Sequence, residues 1–593
     1  MTLRSALPLA CLAGALILTP AASAQAPGPA AATSELRDTV SLFSTDRAAL
    51  FRRYGVDYSP ERRDRMREFY TGWRTRLGVV DFDALSQEGR IDWILLDNEL
   101  RYQLVLLDRE ERQFGEMAPW LPFATTITTM EESRRRFEPV DPAATAGALA
   151  AMAASADSAR ERAAAAWKAG DTTGSGRNTG SPALTRVVGR RTAMLLGELR
   201  GTLQRWDRFY SGYDPSFTWW AAEPYAKADS ALARYAKFLN ETVVGIRPGQ
   251  AEPMIGDPIG AEGLKADLAY EMIPYSVEEL LAIAEREFAW CEAEYRKAAQ
   301  EMGYGDDWKA ALEKVKQSYV PPGGQPALIR DLALEAIAFV EDRGLLTVPP
   351  LAKEIWRMEM MSPERQRVSP FFLGGEVILV SYPTDAMTNE EKLMSMRGNN
   401  PYFSRATVQH ELIPGHHLQG FMNSRYSTQR RAFSTPFWTE GWALYWEMLL
   451  WDLGFPQTPE QRIGMLFWRS HRAARIIFSL RFHLGEMTPE EAVDFLVDRV
   501  GHERANAEGE VRRSVAGDYS PLYQAAYMLG GLQFRALHRE LVESGRMTDR
   551  AFHDAILHGG AMPVELVRAR LTGAPLARDY TAHWRFAGDP EAR

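Results

Sequence analysis

The stretch His-Glu-Leu-Ile-Pro-Gly-His-His, from His410 to His417, constrains this chain more than any other part of its sequence. Two histidines with a glutamate beside the first are typical of a zinc site, in which neutral imidazoles bind the ion and the glutamate accepts a proton from water. Such a site also needs a third ligand and an open position for water. All ten histidines lie between positions 410 and 583, which indicates that the C-terminal half carries the chemistry.

The spacing of these histidines departs from that of a regular helix. Residues i and i+4 share a helix face, but position 414 is a proline, which cannot bind a metal. His417 is nearly in phase with His410 but lies roughly 10 Å further along an ideal helix. Proline followed by glycine favours a bulge, and a bulge of two residues would bring His416 to the i+4 place. The ligands are therefore expected to be His410 and His416 rather than His410 and His417. His417 would then face the substrate or support a ligand.

The third ligand is expected in the apolar segment 437–447. A glutamate buried in such a segment is costly unless it is paired or bound to metal. Glu440 is the predicted ligand, and Glu447, two turns further on, could instead orient an imidazole. Two imidazoles and a carboxylate favour one zinc ion per chain, with manganese or cobalt as the alternatives.

The N-terminus has the pattern of a secretory signal peptide. A basic start at Arg4, an apolar run over residues 7–18 and small residues up to Ala24 predict export to the periplasm or medium and cleavage near Ala24. Residues 25–34, rich in alanine and proline, are predicted to be disordered. The apolar run is too short for a stable membrane span, and no other run approaches spanning length.

Charge and cysteine content exclude several classes of protein. The formal net charge is −9 and no basic tract is present, which disfavours nucleic-acid binding. Removal of the signal would leave Cys291 as the only cysteine, so the core must supply the stability without an intrachain disulfide. The sequence has no phosphate-binding glycine loop, no Gly-x-Ser-x-Gly and no Cys-x-x-Cys, and it does not determine the oligomeric state.

From about residue 35 the hydrophobic pattern is mainly helical. Capping boxes predict a helix from Ser276 to Met302 and another that begins at Thr488. Residues 142–168 are rich in alanine and prone to form a helix, whereas residues 171–181 are expected to form an exposed loop.

One segment, residues 374–383, is instead rich in β-forming residues. It is predicted to be a buried strand of a small sheet, or an edge strand beside the metal helix to which a peptide could add. No linker clearly divides the chain, so a single helical domain with two lobes around a cleft is expected over residues 35–593, with the metal site within 370–570.

The motif His-Glu-x-x-Pro-Gly-His-His, followed by Glu-Gly-Trp-Ala-Leu-Tyr at 440–445, resembles the bacterial family catalogued as domain of unknown function 885. The resemblance covers most of the mature chain. It implies a gluzincin-type metallopeptidase similar in plan to the helical angiotensin-converting-enzyme and oligopeptidase families, with a mainly α fold, a deep cleft and a small β-sheet near the metal helix. In the converting-enzyme pattern the glutamate ligand follows the second histidine at about the interval from His416 to Glu440, which favours His416.

Other elements of that family match only in part. Glu510 and Arg513 retain a Glu-x-x-Arg spacing, and Tyr527 fits the tyrosine of a Pro-x-Gln-Ala-x-x-Tyr-Lys-x-Gly element. Met528 replaces the lysine of that element, and Ser479 replaces the aspartate of an Asp-x-Gly-x-His element. These replacements suggest a subgroup with altered substrate preference.

The resulting hypothesis is an exported zinc metallopeptidase acting on small peptides, in which Glu411 activates a metal-bound water. Tyr527 either donates a hydrogen bond to the oxyanion or simply packs its helix. The candidates for substrate binding are His417, His502 and Arg513, and the last two could equally form structural contacts. The alternatives are a catalytically silent peptide-binding protein and a metal-dependent hydrolase of non-peptide amides or esters. Cleavage position, and exopeptidase against endopeptidase action, are not determined.

Overall fold

The computed structural model describes residues 34–170, 183–250, 252–366, 369–516 and 519–588. The predicted signal peptide (1–24), nearly all of the segment 25–34 and the predicted loop at 171–181 lie outside the described residues. The described chain is mainly helical with one two-stranded sheet, which confirms the mainly α character and the small sheet of the predicted fold class. No helix in these ranges is both long and apolar enough to cross a membrane.

The first helices build the N-terminal region. They are α1 (Arg37–Arg53), α2 (Pro60–Gly78), α3 (Gln87–Met117), α4 (Ala124–Arg135), α5 (Pro142–Lys168), α6 (Arg186–Tyr210) and α7 (Pro215–Phe238). Helix α5 covers the alanine-rich stretch that was predicted to be helical.

The middle region contains the strands. Its elements are α8 (Gly260–Tyr270), α9 (Val277–Glu301), α10 (Trp308–Lys316), α11 (Gln325–Asp342), α12 (Pro350–Ile355), β1 (Arg357–Met360), α13 (Pro363–Gln366), β2 (Val377–Val380) and α14 (Asn389–Gly398).

The C-terminal region is helical again. It consists of α15 (Pro401–Glu411), α16 (His416–Asn423), α17 (Pro436–Asp452), α18 (Pro459–Leu484), α19 (Pro489–Phe495), α20 (Arg504–Val515), α21 (Tyr523–His538), α22 (Asp549–Gly559) and α23 (Val564–Thr572).

The predicted capping boxes are present. The Ser276 hydroxyl accepts a hydrogen bond from the Glu279 N–H, and the Glu279 carboxylate accepts one from the Ser276 N–H. Thr488 and Glu491 make the same reciprocal pair at the start of α19. Each box satisfies two backbone donors that the first helical turn leaves unpaired, which is why the local sequence was sufficient to locate these starts.

The buried apolar side chains form two large cores. One lies within residues 117–243 and contains side chains from α4, α5, α6 and α7. The larger core joins α1 to α3 with the helices that follow residue 260, and it includes α15 to α18 and α21. Helices α17 and α21 touch through two glycines, since a Cβ on Gly441 would lie 2.6 Å from Gly530 Cα. The presence of two cores does not test whether residues 35–593 form a single domain, so the single domain stays a prediction.

The small sheet lies against the helix that carries the first histidine. Strands β1 and β2 pair in parallel, with Arg357 opposite Val377. Ile378 and Val380 are buried in a cluster that includes Val408 of α15. The β-rich segment is thus a strand beside the candidate metal helix, as the sequence predicts.

Candidate metal centre

The histidine-rich stretch forms the end of one helix, a short turn and the start of the next. Helix α15 ends at Glu411, Leu412 leaves the helical region with φ −108° and ψ −106°, and α16 begins at His416. The predicted bulge within a continuous helix is therefore replaced by a complete break, because a proline lacks the helical N–H and disfavours helix in the residue before it. The break brings the His410 and His416 rings to 4.7 Å between centroids.

Glu440 of α17 completes the group. Its Oε2 lies 3.4 Å from His410 Nε2 and 3.0 Å from His416 Nε2. The donor atoms of the three residues all lie within 4.8 Å of one another. His410 and Glu440 are buried, while His416 is partly exposed. The three residues predicted as metal ligands thus meet at one point, which solvent reaches from the side of His416.

The hydrogen-bond pattern at His410 fits a divalent cation. Its Nδ1 lies 2.7 Å from Glu447 Oε1, and its Nε2 faces Glu440, so both ring nitrogens face carboxylates. A neutral imidazole has only one N–H; burial lowers the pKa of His410, but hydrogen bonds to Glu440 and Glu447 outweigh it and raise that pKa to about 9. A metal ion in place of the Nε2 proton would satisfy Glu440 with a neutral ring. Two imidazoles and a carboxylate are a zinc ligand set.

The ligands are held by a second set of contacts. Glu447 Oε1, which accepts the hydrogen bond of His410, also lies 3.4 Å from Arg472 Nη2. The Tyr523 hydroxyl donates to Glu440 Oε1, which leaves Oε2 directed at the histidines. Carboxylates that orient imidazoles in this way increase the affinity of metal sites.

The turn between the helices is fixed from α17. The Trp442 indole N–H donates to the Pro414 carbonyl at 2.9 Å. Trp442 is fully buried and lies two residues after Glu440. One helix therefore supplies a ligand and also positions the turn that separates the other two ligands.

Glu411 lies beside the ligands but outside their group. Burial raises the pKa of its carboxyl, while His410 and His416 act in the opposite direction. The chain before β2 packs closely on it, since a Cβ on Gly374 would lie 2.4 Å from Glu411 Oε2. The Gly375 N–H also donates to the Glu411 carbonyl at 3.3 Å. A larger residue at Gly374 would displace the carboxylate, so this glycine helps to place it.

The other predicted residues fall in different surroundings. The Tyr527 ring stacks on the His410 ring, with centroids 6.0 Å apart and planes at 14°, so Tyr527 belongs to the site. His417 is buried and its Nε2 donates to the Ala352 carbonyl at 2.7 Å. His502 Nε2 lies 2.8 Å from His471 Nδ1. These contacts give His417 and His502 structural partners, and their substrate roles stay predictions.

Three residues at the site were not singled out by the sequence argument, namely Tyr523, Arg472 and Arg475. The two arginines had a detectable signal, because Arg469, Arg472 and Arg475 recur at three-residue spacing among apolar residues of α18, where an unpaired charge is costly. Tyr523 had no such signal, since sequence alone does not show which tyrosine of α21 reaches a glutamate 83 residues away.

A second group of residues has donor atoms close enough to bind a metal ion but a different hydrogen-bond pattern. Donor atoms of His538, Asp549 and His553 also lie within 4.8 Å of one another. His553 Nδ1 contacts the Leu345 carbonyl and its Nε2 contacts the Tyr445 hydroxyl, both at 2.8 Å. Burial lowers the pKa of His553 to about 3. Both nitrogens of this neutral ring are satisfied without an ion, so this group fits a structural network.

A cavity of about 920 Å³ lies between the end of β2, α14 and α20. Its lining includes Ser381, Ser395, Asn506 and Arg512, and none of the three candidate ligands. The deep two-lobed cleft expected around the metal site stays a prediction.

Comparisons with known proteins identify a family and a shared fold. The sequence profile of a family described as "Bacterial protein of unknown function (DUF885)" matches residues 51–571. No curated protein matches the sequence.

Two solved structures resemble most of the chain. A candidate lipoprotein of unknown function from Shewanella oneidensis is 17% identical with a TM-score of 0.66, and the match covers 91% of this chain and 100% of that one. A candidate lipoprotein from Colwellia psychrerythraea is 16% identical with a TM-score of 0.58, and the match covers 91% and 99%. At such identities the likeness is one of fold.

Proposed function

This chain belongs to the bacterial family DUF885 of proteins of unknown function, and we propose that it is a zinc-dependent hydrolase of peptide bonds in small peptides. One observation carries the proposal. The donor atoms of His410, His416 and Glu440 converge, while Glu411, next to the first ligand, lies beside that point without joining it. A ligand triad with a separate carboxylate is what metal-assisted hydrolysis requires.

Each nearby residue has a role in this chemistry. A bound zinc ion would supply a Lewis acid that polarises a carbonyl and lowers the pKa of water. Glu411 takes a proton from the attacking water and passes it to the leaving amine. Its burial, which raises the pKa of the carboxyl, suits a group that must be protonated in turn. Tyr527 stays the candidate donor to the oxyanion, since the Tyr523 hydroxyl is engaged by Glu440.

Zinc content and turnover of purified wild type and three variants test the proposal. Wild type and Glu411→Gln should each retain about one zinc per chain, because Glu411 is not a ligand, and His410→Ala should retain almost none. Wild type should cleave a mixture of short peptides, and Glu411→Gln should lose nearly all of that activity. Glu486→Gln, at an exposed position after α18, is the matched control and should behave as wild type.

Two results would overturn the proposal. One is wild type that holds no metal after zinc loading and removal of the excess, and the other is undiminished turnover by Glu411→Gln. Peptides bound but never cleaved by the zinc protein would favour a silent binding protein instead. Cleavage of esters or simple amides, but not of peptides, would favour the non-peptide hydrolase. The predicted export would place the activity in the periplasm or outside the cell.

A further inference from the structure

A group of buried arginines lies next to the candidate metal site and is not used by the chemistry above. Arg472 and Arg475 come from α18, and Arg513 comes from α20. The exposed fractions of these three side chains are only 2–7%. Glu510, fully buried, is shared by two of them, at 2.6 Å from Arg475 Nε and 3.1 Å from Arg513 Nε.

The charges of this group do not balance. The three guanidinium groups face two carboxylates, Glu510 and the Glu447 that also binds His410. With a divalent ion bound, Glu411 and Glu440 would offset its charge, and one positive charge of the three guanidinium groups would remain. An uncompensated buried charge is strongly unfavourable, and a second observation points the same way. Arg475 Nη1 is buried and has no hydrogen-bond partner in the described parts of the chain.

The two neighbouring histidines do not add to the positive charge. Burial lowers the pKa of His502 to about 3. Burial, together with Arg475, also holds the pKa of His471 well below its usual range. Burial would raise the pKa of Glu510, but Arg475 and Arg513 lower it to about 2. The group is therefore a fixed cationic site and keeps its charge over the physiological pH range.

The position of this site relative to the metal ligands is defined by one ring. The guanidinium carbons of Arg475 and Arg472 lie 4.3 Å and 4.7 Å from the centre of the Tyr527 ring. The same ring stacks on His410. The Tyr527 side chain thus contacts both the arginine group and the ligand His410.

Two partly exposed tyrosines lie beside the arginine group. Arg513 lies 5.3 Å from the centre of the Tyr519 ring, and Tyr519 packs on Tyr523 with centroids 4.2 Å apart. Tyr519 and Tyr523 are both partly exposed. Arg513 is therefore the arginine of the group that lies beside partly exposed residues, and it shares Glu510 with Arg475. Guanidinium groups bind carboxylates in a planar, charge-assisted geometry.

We propose that Arg475 and Arg513 bind the C-terminal carboxylate of a peptide, so that the bond presented to the metal site is one close to the peptide's C-terminus. The protein is then a carboxypeptidase whose substrates are peptides with a free α-carboxylate. This inference rests on the proposed peptide hydrolysis at His410, His416 and Glu440.

A matched pair of peptides tests the inference on the zinc-loaded wild-type protein. The pair is an N-acetylated hexapeptide with a free C-terminal carboxylate and the same peptide with a C-terminal amide. The carboxylate form should be cleaved with a kcat/KM at least about tenfold higher, because the amide lacks the charge that the arginines bind. Mass spectrometry should show products shortened from the C-terminus. Equal cleavage of the two peptides, or cleavage at internal bonds alone, would overturn the proposal.

Variants connect that preference to the arginines. Arg475→Lys and Arg513→Lys retain the charge but lose the planar fork, so each should lower kcat/KM for the carboxylate peptide about tenfold and leave the amide peptide nearly unchanged. Arg504→Lys is the matched control on α20, where the arginine pairs with Asp494 at the exposed surface, and it should alter neither rate. A preference that survives both site variants would also overturn the proposal. The wild-type comparison needs no variant and therefore stands if one fails to fold.

Binding to the inactive protein separates this inference from the proposed function. Zinc-loaded Glu411→Gln is titrated with both peptides by calorimetry. If wild type cleaves nothing, but the carboxylate peptide binds at least about tenfold more tightly and Arg475→Lys abolishes that difference, the anion site stands and the hydrolysis proposal fails. Cleavage without discrimination leaves hydrolysis standing and rejects the anion site. Absence of both cleavage and discrimination rejects both.

Discussion

At the scale of single residues, the two oxygens of Glu440 have different partners, and so do the two ring nitrogens of His410. Glu440 directs Oε2 at the two histidines while Oε1 accepts a hydrogen bond from Tyr523. His410 uses Nδ1 for Glu447, so its Nε2 is the nitrogen that remains for a metal. These contacts fix the orientation of the ligands before an ion binds, and such preorganisation increases affinity and selectivity.

The role of Glu447 leads to a prediction about affinity. Glu447→Gln keeps the size of the side chain and an oxygen that can accept from His410, but it removes the negative charge that makes the imidazole a stronger ligand. The zinc dissociation constant, measured by competition with a chelator, should rise by roughly 10–100-fold. The exposed Glu486→Gln provides the comparison. An unchanged dissociation constant in Glu447→Gln would show that this contact does not tune the metal site.

At the scale of helices and strands, the sequence predicted what local chemistry determines. Capping boxes located α9 and α19 because the interactions lie within four residues. The form of the turn at 412–415 was not predicted, because Trp442, from a distant part of the chain, fixes the Pro414 carbonyl. Glu440 could be predicted as a ligand, because burying an unpaired carboxylate in an apolar segment is energetically unfavourable. The contacts of Tyr523 and Arg475 could not be predicted, because they depend on the packing of α21 and α18.

The start of α17, the helix of Glu440, gives a prediction about pH and stability. Glu271, at the end of α8, accepts a hydrogen bond from Thr435, the N-cap of α17. Burial raises the pKa of Glu271 from 4.5 to about 8, with Thr435 acting in the opposite direction. Since the folded pKa exceeds the unfolded one, the stabilising contribution of the protonated carboxyl is complete below pH 4.5 and is lost as the pH rises through about 8.

Glu271→Gln should therefore flatten the pH dependence of stability. The thermal midpoint of wild type should fall between pH 5 and pH 8.5 by more than that of the variant, and the difference corresponds to a few kcal/mol at most, on the order of 1.4 kcal/mol per pKa unit. Glu262→Gln, at an exposed position of α8, should follow wild type. Parallel curves for wild type and Glu271→Gln would contradict the assignment.

At the scale of the whole molecule, the candidate chemistry is concentrated in the larger core. The ligands, Glu411, Glu447 and the arginines all come from α15 to α18 and α20, whereas the core within 117–243 contributes none of them. The helices that carry the ligands are packed by large buried aromatic residues such as Trp438, Trp442 and Trp446. The site is thus built on elements whose folding is driven by apolar burial, so the metal is expected to stabilise an existing fold.

This arrangement predicts a specific response to metal removal. Zinc binding only to the folded state stabilises it by about 4 kcal/mol at a free concentration 1,000 times the dissociation constant. Chelation should therefore lower the thermal midpoint of wild type while far-ultraviolet circular dichroism at 25 °C stays unchanged, because the ligand helices do not depend on the ion for packing. In His410→Ala, zinc should leave the midpoint unaffected, whereas His553→Gln, outside the site, should still show the zinc-dependent rise. Loss of helical signal on chelation would mean that the ion is required for folding, as in a structural zinc domain. An equal zinc effect in His410→Ala would place the stabilising ion elsewhere.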